Sequence, residues 1–280
     1  MIMRKITFIS LLFVLFWVAC HKLTPEEQAI LRIQNVRSLI ANNQLNQAKM
    51  ELDSVHVLFR TEVAQRRVAQ HLSDSITYIE SQRTLRYCDS ILILKNEEKA
   101  KLRKQFRFEK NDNYETEGSY VFYLLRTESN AERCFLQARI TESSELILKS
   151  TYCGTFPIEH THAILSNNES SVSGAEISIS DAANHSFSDG GKTWEMLHYK
   201  NEDALRLLNF ISENEENRIK VTLQGKRKYT YTLMQSEKKA LEATYHFAVV
   251  MRDVAQLEKE IEKANFQIKR FDEKNNKVNL

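Results

Sequence analysis

The sequence predicts an α+β chain: an N-terminal helical hairpin and long helix, an antiparallel β-sheet domain, and a C-terminal coiled-coil helix packing back on the long helix. Three observations carry this. Between Cys20 and Gly118 there is no glycine and only one proline, Pro25. Past Gly118 the chain turns to short runs of β-branched and aromatic residues. From Ala240 to Phe271 apolar residues then recur at alternating three- and four-residue steps. With 6 Gly and 2 Pro in 280 residues, against an ordinary share of about 12%, collagen-like, linker-like and glycine-loop nucleotide-binding architectures are excluded. With 39 basic and 37 acidic side chains, no global field favours nucleic acid, and none is expected as a partner.

Residues 1–19 read as a signal peptide. Arg4 and Lys5 form a basic start, and the apolar run Ile6–Val18 is shorter than the roughly 20 residues a spanning helix needs. The run ends in Trp17-Val18-Ala19-Cys20, which resembles the bacterial lipobox, with Trp17 where Leu is usual. The resemblance implies that Cys20 carries acyl chains, palmitate among them. The rival is an uncleaved signal anchor. His21 stands where an Asp would resemble an inner-membrane retention signal, so the expected location is the outer membrane, on its periplasmic side or at the cell surface. Several acyl chains would hold the protein stably on the membrane.

Residues 20–117 are expected to be helical. Thr24-Pro25-Glu26-Glu27 reads as a helix start, with Thr24 as N-cap and Glu27 closing a capping box. Ile30, Ile33, Val36 and Ile40 mark the buried face, Asn42-Asn43 breaks the helix, and Leu45, Ala48, Leu52 and Val55 line the next one. This hairpin resembles a single tetratricopeptide-type pair, too little for a solenoid. A long helix follows from Thr61 to Phe106, with a looser stripe of Val68, Leu72, Ile76, Ile79, Leu85, Cys88 and Leu92. Asp53-Ser54-Val55, Asp74-Ser75-Ile76 and Asp89-Ser90-Ile91 resemble an O-glycosylation sequon of Gram-negative envelope proteins. A polar outer face beside a buried branched residue explains them equally, and is the preferred reading.

Residues 118–234 should form an antiparallel sheet of about six to eight strands with one inserted helix. The strand-like runs are Tyr120–Arg126, Cys134–Thr141, Leu146–Tyr152, Ile177–Ser180, Thr193–Tyr199, and the hairpin of Ile219, Val221 and Leu223 with Tyr229, Tyr231 and Leu233 about Gly225. Asp189-Gly190-Gly191 is a turn, and Asp203–Asn214 is the inserted helix. A reversal centred on Ser143-Ser144 would set Cys134 opposite Cys153, where a disulfide could form in an oxidising compartment. A slip of one residue would separate them, leaving two unpaired thiols.

Residues 235–280 form the last helix and tail, with Ser236 as N-cap. Its seam comprises Ala240, Ala243, Phe247, Val250, Val254, Leu257, Ile261, Ala264, Ile268 and Phe271. Such a seam needs a partner. Intrachain pairing with the long helix, giving a monomer, is preferred over a homodimer.

Chemistry is sparse. His160 and His162 would share a face if extended and are the metal candidates, yet no third ligand is recognisable; the rival is two strand histidines. No metalloprotease, redox or serine-hydrolase motif occurs, and no cofactor is expected. Lys226-Arg227-Lys228 is either an anion-binding cluster or an exposed turn, and Trp194 either a sugar platform or core.

Tyr152-Cys153-Gly154 with Pro157-Ile158-Glu159-His160, the Asp189-Gly190-Gly191 turn, Ile219-Lys220-Val221-Thr222-Leu223-Gln224-Gly225-Lys226 before Tyr229-Thr230-Tyr231, and the helix Leu257-Glu258-Lys259-Glu260-Ile261-Glu262-Lys263-Ala264 together carry a resemblance. They resemble a family of uncharacterised envelope lipoproteins from Gram-negative anaerobes. The resemblance implies the layout above and assigns no reaction. The expected role is non-enzymatic binding or scaffolding at the outer membrane, with a protein or glycan ligand on the β domain. The alternatives are a glycan or peptide hydrolase of the envelope and a structural coiled-coil homodimer.

Overall fold

The computed structural model describes residues 23–110, 116–123 and 132–278. The signal segment, Cys20 and the end of the expected strand Tyr120–Arg126 lie outside the described residues. The fold is α+β, with five helices and ten strands among the described residues: α1 (Pro25–Ala41), α2 (Leu45–Leu58), α3 (Val63–Arg103), β1 (Phe106–Glu109), β2 (Ser119–Phe122), β3 (Phe135–Thr141), β4 (Leu146–Gly154), β5 (His162–Ser166), β6 (Ser171–Ser173), β7 (Asn184–Asp189), β8 (Lys192–Lys200), α4 (Asn201–Glu213), β9 (Lys220–Gln224), β10 (Lys228–Thr232) and α5 (Gln235–Val278). No described helix is long and apolar enough to cross a membrane. The chain divides into two compact units, residues 1–87 with 260–280, and residues 88–259.

In the first unit the Thr24–Glu27 capping box is complete: the Thr24 hydroxyl accepts from the Glu27 N–H at 3.2 Å, and the Glu27 carboxylate accepts from the Thr24 N–H at 2.8 Å. Asn43 takes a positive φ of 61°, which ends the first helix and starts the reversal. The core comprises Ala29, Ile33, Val36, Leu45, Ala48, Leu52, Val55, Phe59, Ala69 and Ile76. Two expected positions differ. Ile30 and Val68 are exposed and their neighbours Ala29 and Ala69 are buried instead, while Ile33, Val36 and Ile76 stay buried and Ile40, Leu72 and Ile79 pack against them. α3 and α5 run antiparallel here: the Phe271 ring lies 4.6 Å from Tyr78, and Lys274 pairs with Asp74 at 2.8 Å.

In the second unit α3 stops at Arg103, short of the expected Phe106. Phe106 instead opens β1, its ring 4.6 Å from that of Phe247 on α5. Lys95 on α3 pairs with Asp253 on α5 at 3.0 Å. The C-terminal seam is therefore met by the long helix of the same chain. α5 begins at Gln235, so Ser236 lies within the first turn rather than capping it, and the Glu237 carboxylate accepts the Met234 N–H at 3.0 Å.

The strands form two antiparallel sheets rather than one, in the orders β1-β2-β3-β4-β8-β7 and β10-β9-β5-β6. One continuous core joins the inner face of the larger sheet (Leu136, Ala138, Ile140, Leu148, Leu197, Tyr199) to Ala163, Leu165, Val221 and Leu223 of the smaller, to α4 and to α5. Ile177–Ser180 forms no strand. The Ile177 N–H donates to the Thr161 carbonyl at 2.8 Å and its carbonyl accepts from the Asn184 side chain at 3.3 Å, and the chain turns at once through Asp181 N–H to Ser178 O at 3.0 Å. Alternation alone makes no strand without an adjacent edge to pair with.

The β3–β4 register decides between the two cysteine readings in favour of unpaired thiols. Phe135 faces Thr151, so Cys134 falls level with Tyr152 and Cys153 is one place further on. That slip sends the thiols to opposite faces. Cys134 joins the core with Tyr152, both cysteines are free thiols, and the Cys134 sulfur receives the Cys153 N–H at 3.3 Å.

Candidate functional site

A cleft of about 530 Å³ opens in the second unit, at the β7 edge of the larger sheet. Its walls come from β7, β8 and the connection Pro157–His160, which the structure holds from two sides. On one side stands Glu195 of β8, buried at 3% exposure. One carboxylate oxygen accepts the N–H of Ile158 at 2.8 Å and of Glu159 at 3.1 Å; the other accepts the His160 N–H at 2.6 Å. A buried carboxylate is tolerated only with such a set of donors. Gly225, in the β9–β10 turn, stands on the other side, where a Cβ would lie 2.0 Å from the Glu159 carbonyl oxygen. Only glycine permits that approach. The Thr161 N–H to Gln224 O bond at 2.8 Å and the Lys226–Glu159 pair at 3.2 Å complete the clamp. Glu159 adopts φ 54°, a strained left-handed conformation held by these contacts.

Ser186, Ser188 and Thr193 supply hydroxyls to the cleft, and Asn184 supplies an amide whose nitrogen donates to the His160 carbonyl at 2.9 Å. Ser188 and Thr193 bond each other at 3.1 Å. Phe187 alternates with Ser186 and Ser188, so its ring, half exposed, stacks on Trp194 at 5.1 Å with only 6° between ring planes on the face of the hairpin opposite these hydroxyls. Gly190 and Gly191, at φ 53° and 80°, close the β7–β8 hairpin that sets the two rings opposite each other.

The two candidate metal ligands part company. His160 is fully buried in the connection, its Nε2 3.4 Å from the Ser150 hydroxyl and its Nδ1 without a partner among the described residues. Burial, then the nearby charge of His162, pushes its pKa down to about 4, so it is neutral at ordinary pH. His162 opens β5, half-buried, its Nδ1 3.1 Å from the Thr161 hydroxyl. Among the described residues no three His, Cys, Asp or Glu side chains gather as a metal set. Lys226-Arg227-Lys228 forms an exposed turn whose Lys226 serves the Glu159 clamp. Sequence reasoning missed Glu195: a lone glutamate inside an alternating strand carries no local signal. It also missed Ser186 and Ser188, whose place in the cleft depends on the register that sets them against Glu195 and Thr193.

Glu195 is thus occupied structurally, His160 is neutral and the exposed Glu159 carboxylate is paired with Lys226, so what the cleft offers a ligand is chiefly neutral hydroxyls, an amide and the exposed Ile179 side chain. The chain matches no family model, and no curated protein or solved structure is significantly similar to it.

Proposed function

We propose that this chain is a lipid-anchored binding protein of the bacterial outer membrane, tethered through Cys20, monomeric, and using the β7–β8 cleft to hold a neutral glycan. One observation carries the binding part: the cleft sets neutral hydroxyl and amide groups beside the exposed Ile179 side chain, while Glu195 is saturated by backbone donors and His160 is buried and neutral. Orientation by a few polar groups beside an apolar surface suits recognition. General acid–base work would need a group poised near the operating pH and within reach of a substrate proton. The anchor rests on the basic start, the short apolar run and Ala19-Cys20.

The test takes the full chain in detergent against a panel of envelope and dietary oligosaccharides. Saturable calorimetric binding, lost in Ser186→Trp, which fills the cleft, with the fold retained, supports the reading. Release of new reducing ends from the panel, or no binding by any member, overturns it. For the anchor, mass spectrometry should find acyl groups on Cys20, and Cys20→Ser should leave the membrane fraction.

A further inference from the structure

A second hollow, separate from the cleft, opens in the same unit between α3, α5 and the β3–β4 turn, with a volume of about 430 Å³. Its origin is legible in the two helices. The stripe of α3 that holds Cys88 and Leu92 continues at helical spacing as Asn96, Lys99 and Arg103, so it turns polar here. α5 stays apolar on the facing side: Phe247, Met251 and Val254, all buried, form the floor. Ala100 and Ala255, small on both helices, leave the gap unfilled.

The rim carries charges of both signs. Arg103 is held in place: its guanidinium lies 4.5 Å over the Tyr120 ring, and its Nη1 donates to the Phe106 carbonyl at 2.6 Å. The fork has further donors to offer. Glu142, in the turn, is held by the Gly118 N–H, which its carboxylate accepts at 2.8 Å. Lys99, half-buried, and Glu258, exposed, complete the rim, and neither makes a hydrogen bond or ion pair among the described residues. Two cations and two carboxylates around one apolar floor select by exclusion. A purely anionic guest meets Glu142 and Glu258, a purely cationic one meets Lys99 and Arg103, and like-charge contacts are costly. A guest with both charges and an apolar body finds a complement at each point. Because Arg103 and Glu142 are already held, their ordering adds little to the cost of binding. The volume lies within the range of about 300–1,000 Å³ found for small-molecule sites.

We propose that this hollow binds an apolar α-amino acid or short peptide with both termini free. Its carboxylate meets Lys99 and Arg103, its ammonium meets Glu258 and Glu142, and its apolar side chain covers Phe247, Met251 and Val254.

The experiment titrates leucyl-leucine into the full chain in detergent by calorimetry, beside its N-acetyl and C-terminal amide derivatives. Leucyl-leucine should bind saturably, and each derivative, lacking one charge, about tenfold more weakly. Glu258→Gln should weaken leucyl-leucine about threefold and leave the N-acetyl form unchanged, because that form has no ammonium to lose. Lys99→Gln should weaken leucyl-leucine by a similar factor and leave the amide unchanged. Free leucine separates the two sources: affinity equal to the dipeptide's points to an amino acid, and weaker binding to a peptide. The proposal is overturned if neither leucine nor leucyl-leucine binds saturably, if a blocked derivative binds as tightly as its parent, or if Glu258→Gln weakens the N-acetyl form as much as the free dipeptide.

Discussion

Replacing Glu195 with glutamine should loosen the wall of the cleft, and the structure sets the scale. Glu195 accepts three backbone N–H groups at 2.8, 3.1 and 2.6 Å while almost wholly buried. Hydrogen bonds to a charged acceptor contribute about 1.5–3 kcal/mol each, and neutral ones about 1 kcal/mol. Glu195→Gln keeps one oxygen, which can still serve Ile158 and Glu159 as a neutral acceptor. Its new amide group then meets the His160 N–H donor to donor. One charge-assisted bond is lost and two are weakened, a gross loss of about 4 kcal/mol. Relief of the buried charge returns about 1 kcal/mol, so the net cost is about 3 kcal/mol. The assay is equilibrium denaturation followed by the fluorescence of the neighbouring Trp194 in a Trp17→Phe background, which leaves a single tryptophan in the unit of residues 88–259. Hydrogen exchange over 155–162 should accelerate in parallel. A cost below about 0.5 kcal/mol with unchanged exchange would refute the assignment of Glu195 as the clamp.

Acid should weaken the same unit. His160 and His198 have folded pKa values lowered to about 4 from 6.5, so the unfolded chain binds their protons first. Their stabilisation is complete above pH 6.5 and is lost as pH falls from 6.5 towards 4. The loss at pH 5 is about 2 kcal/mol for His160 and less for the more exposed His198; melts of His160→Gln at pH 7.5 and 5 should show a correspondingly shallower pH dependence. Gly225→Ala forces a Cβ against the Glu159 carbonyl and should cost about 2 kcal/mol, read as a lower denaturation midpoint; an unchanged midpoint would mean that the turn yields freely. Cys88, Cys134 and Cys153 should all alkylate after denaturation without reductant. In the native chain Cys134, its pKa pushed up to about 11 by burial, should resist labelling at pH 8, and a Cys134–Cys153 linked peptide would contradict the register.

The sequence alone determined the parts whose signals lie within a few residues of one another. The Thr24–Glu27 capping box, the Asn42-Asn43 break, the Gly190-Gly191 hairpin, the β9–β10 hairpin about Gly225 and the long C-terminal seam all read directly, because caps, tight turns and helical periods are local energetics. Tertiary structure decided the rest. Ser143-Ser144 is a weak turn pair, so the register that separates Cys134 from Cys153 was left to packing, which buried Cys134 with Tyr152. Ile177–Ser180 alternates as well as the true strands do, but the chain turns away before it can pair. Nor could the sequence place Glu195 beneath the amides of residues 35–37 positions earlier, or gather Lys99, Glu142 and Glu258 from two helices and a turn around one hollow. Local propensity acts over a turn or two of chain, whereas burial, register and the satisfaction of buried charge are settled only when distant segments meet.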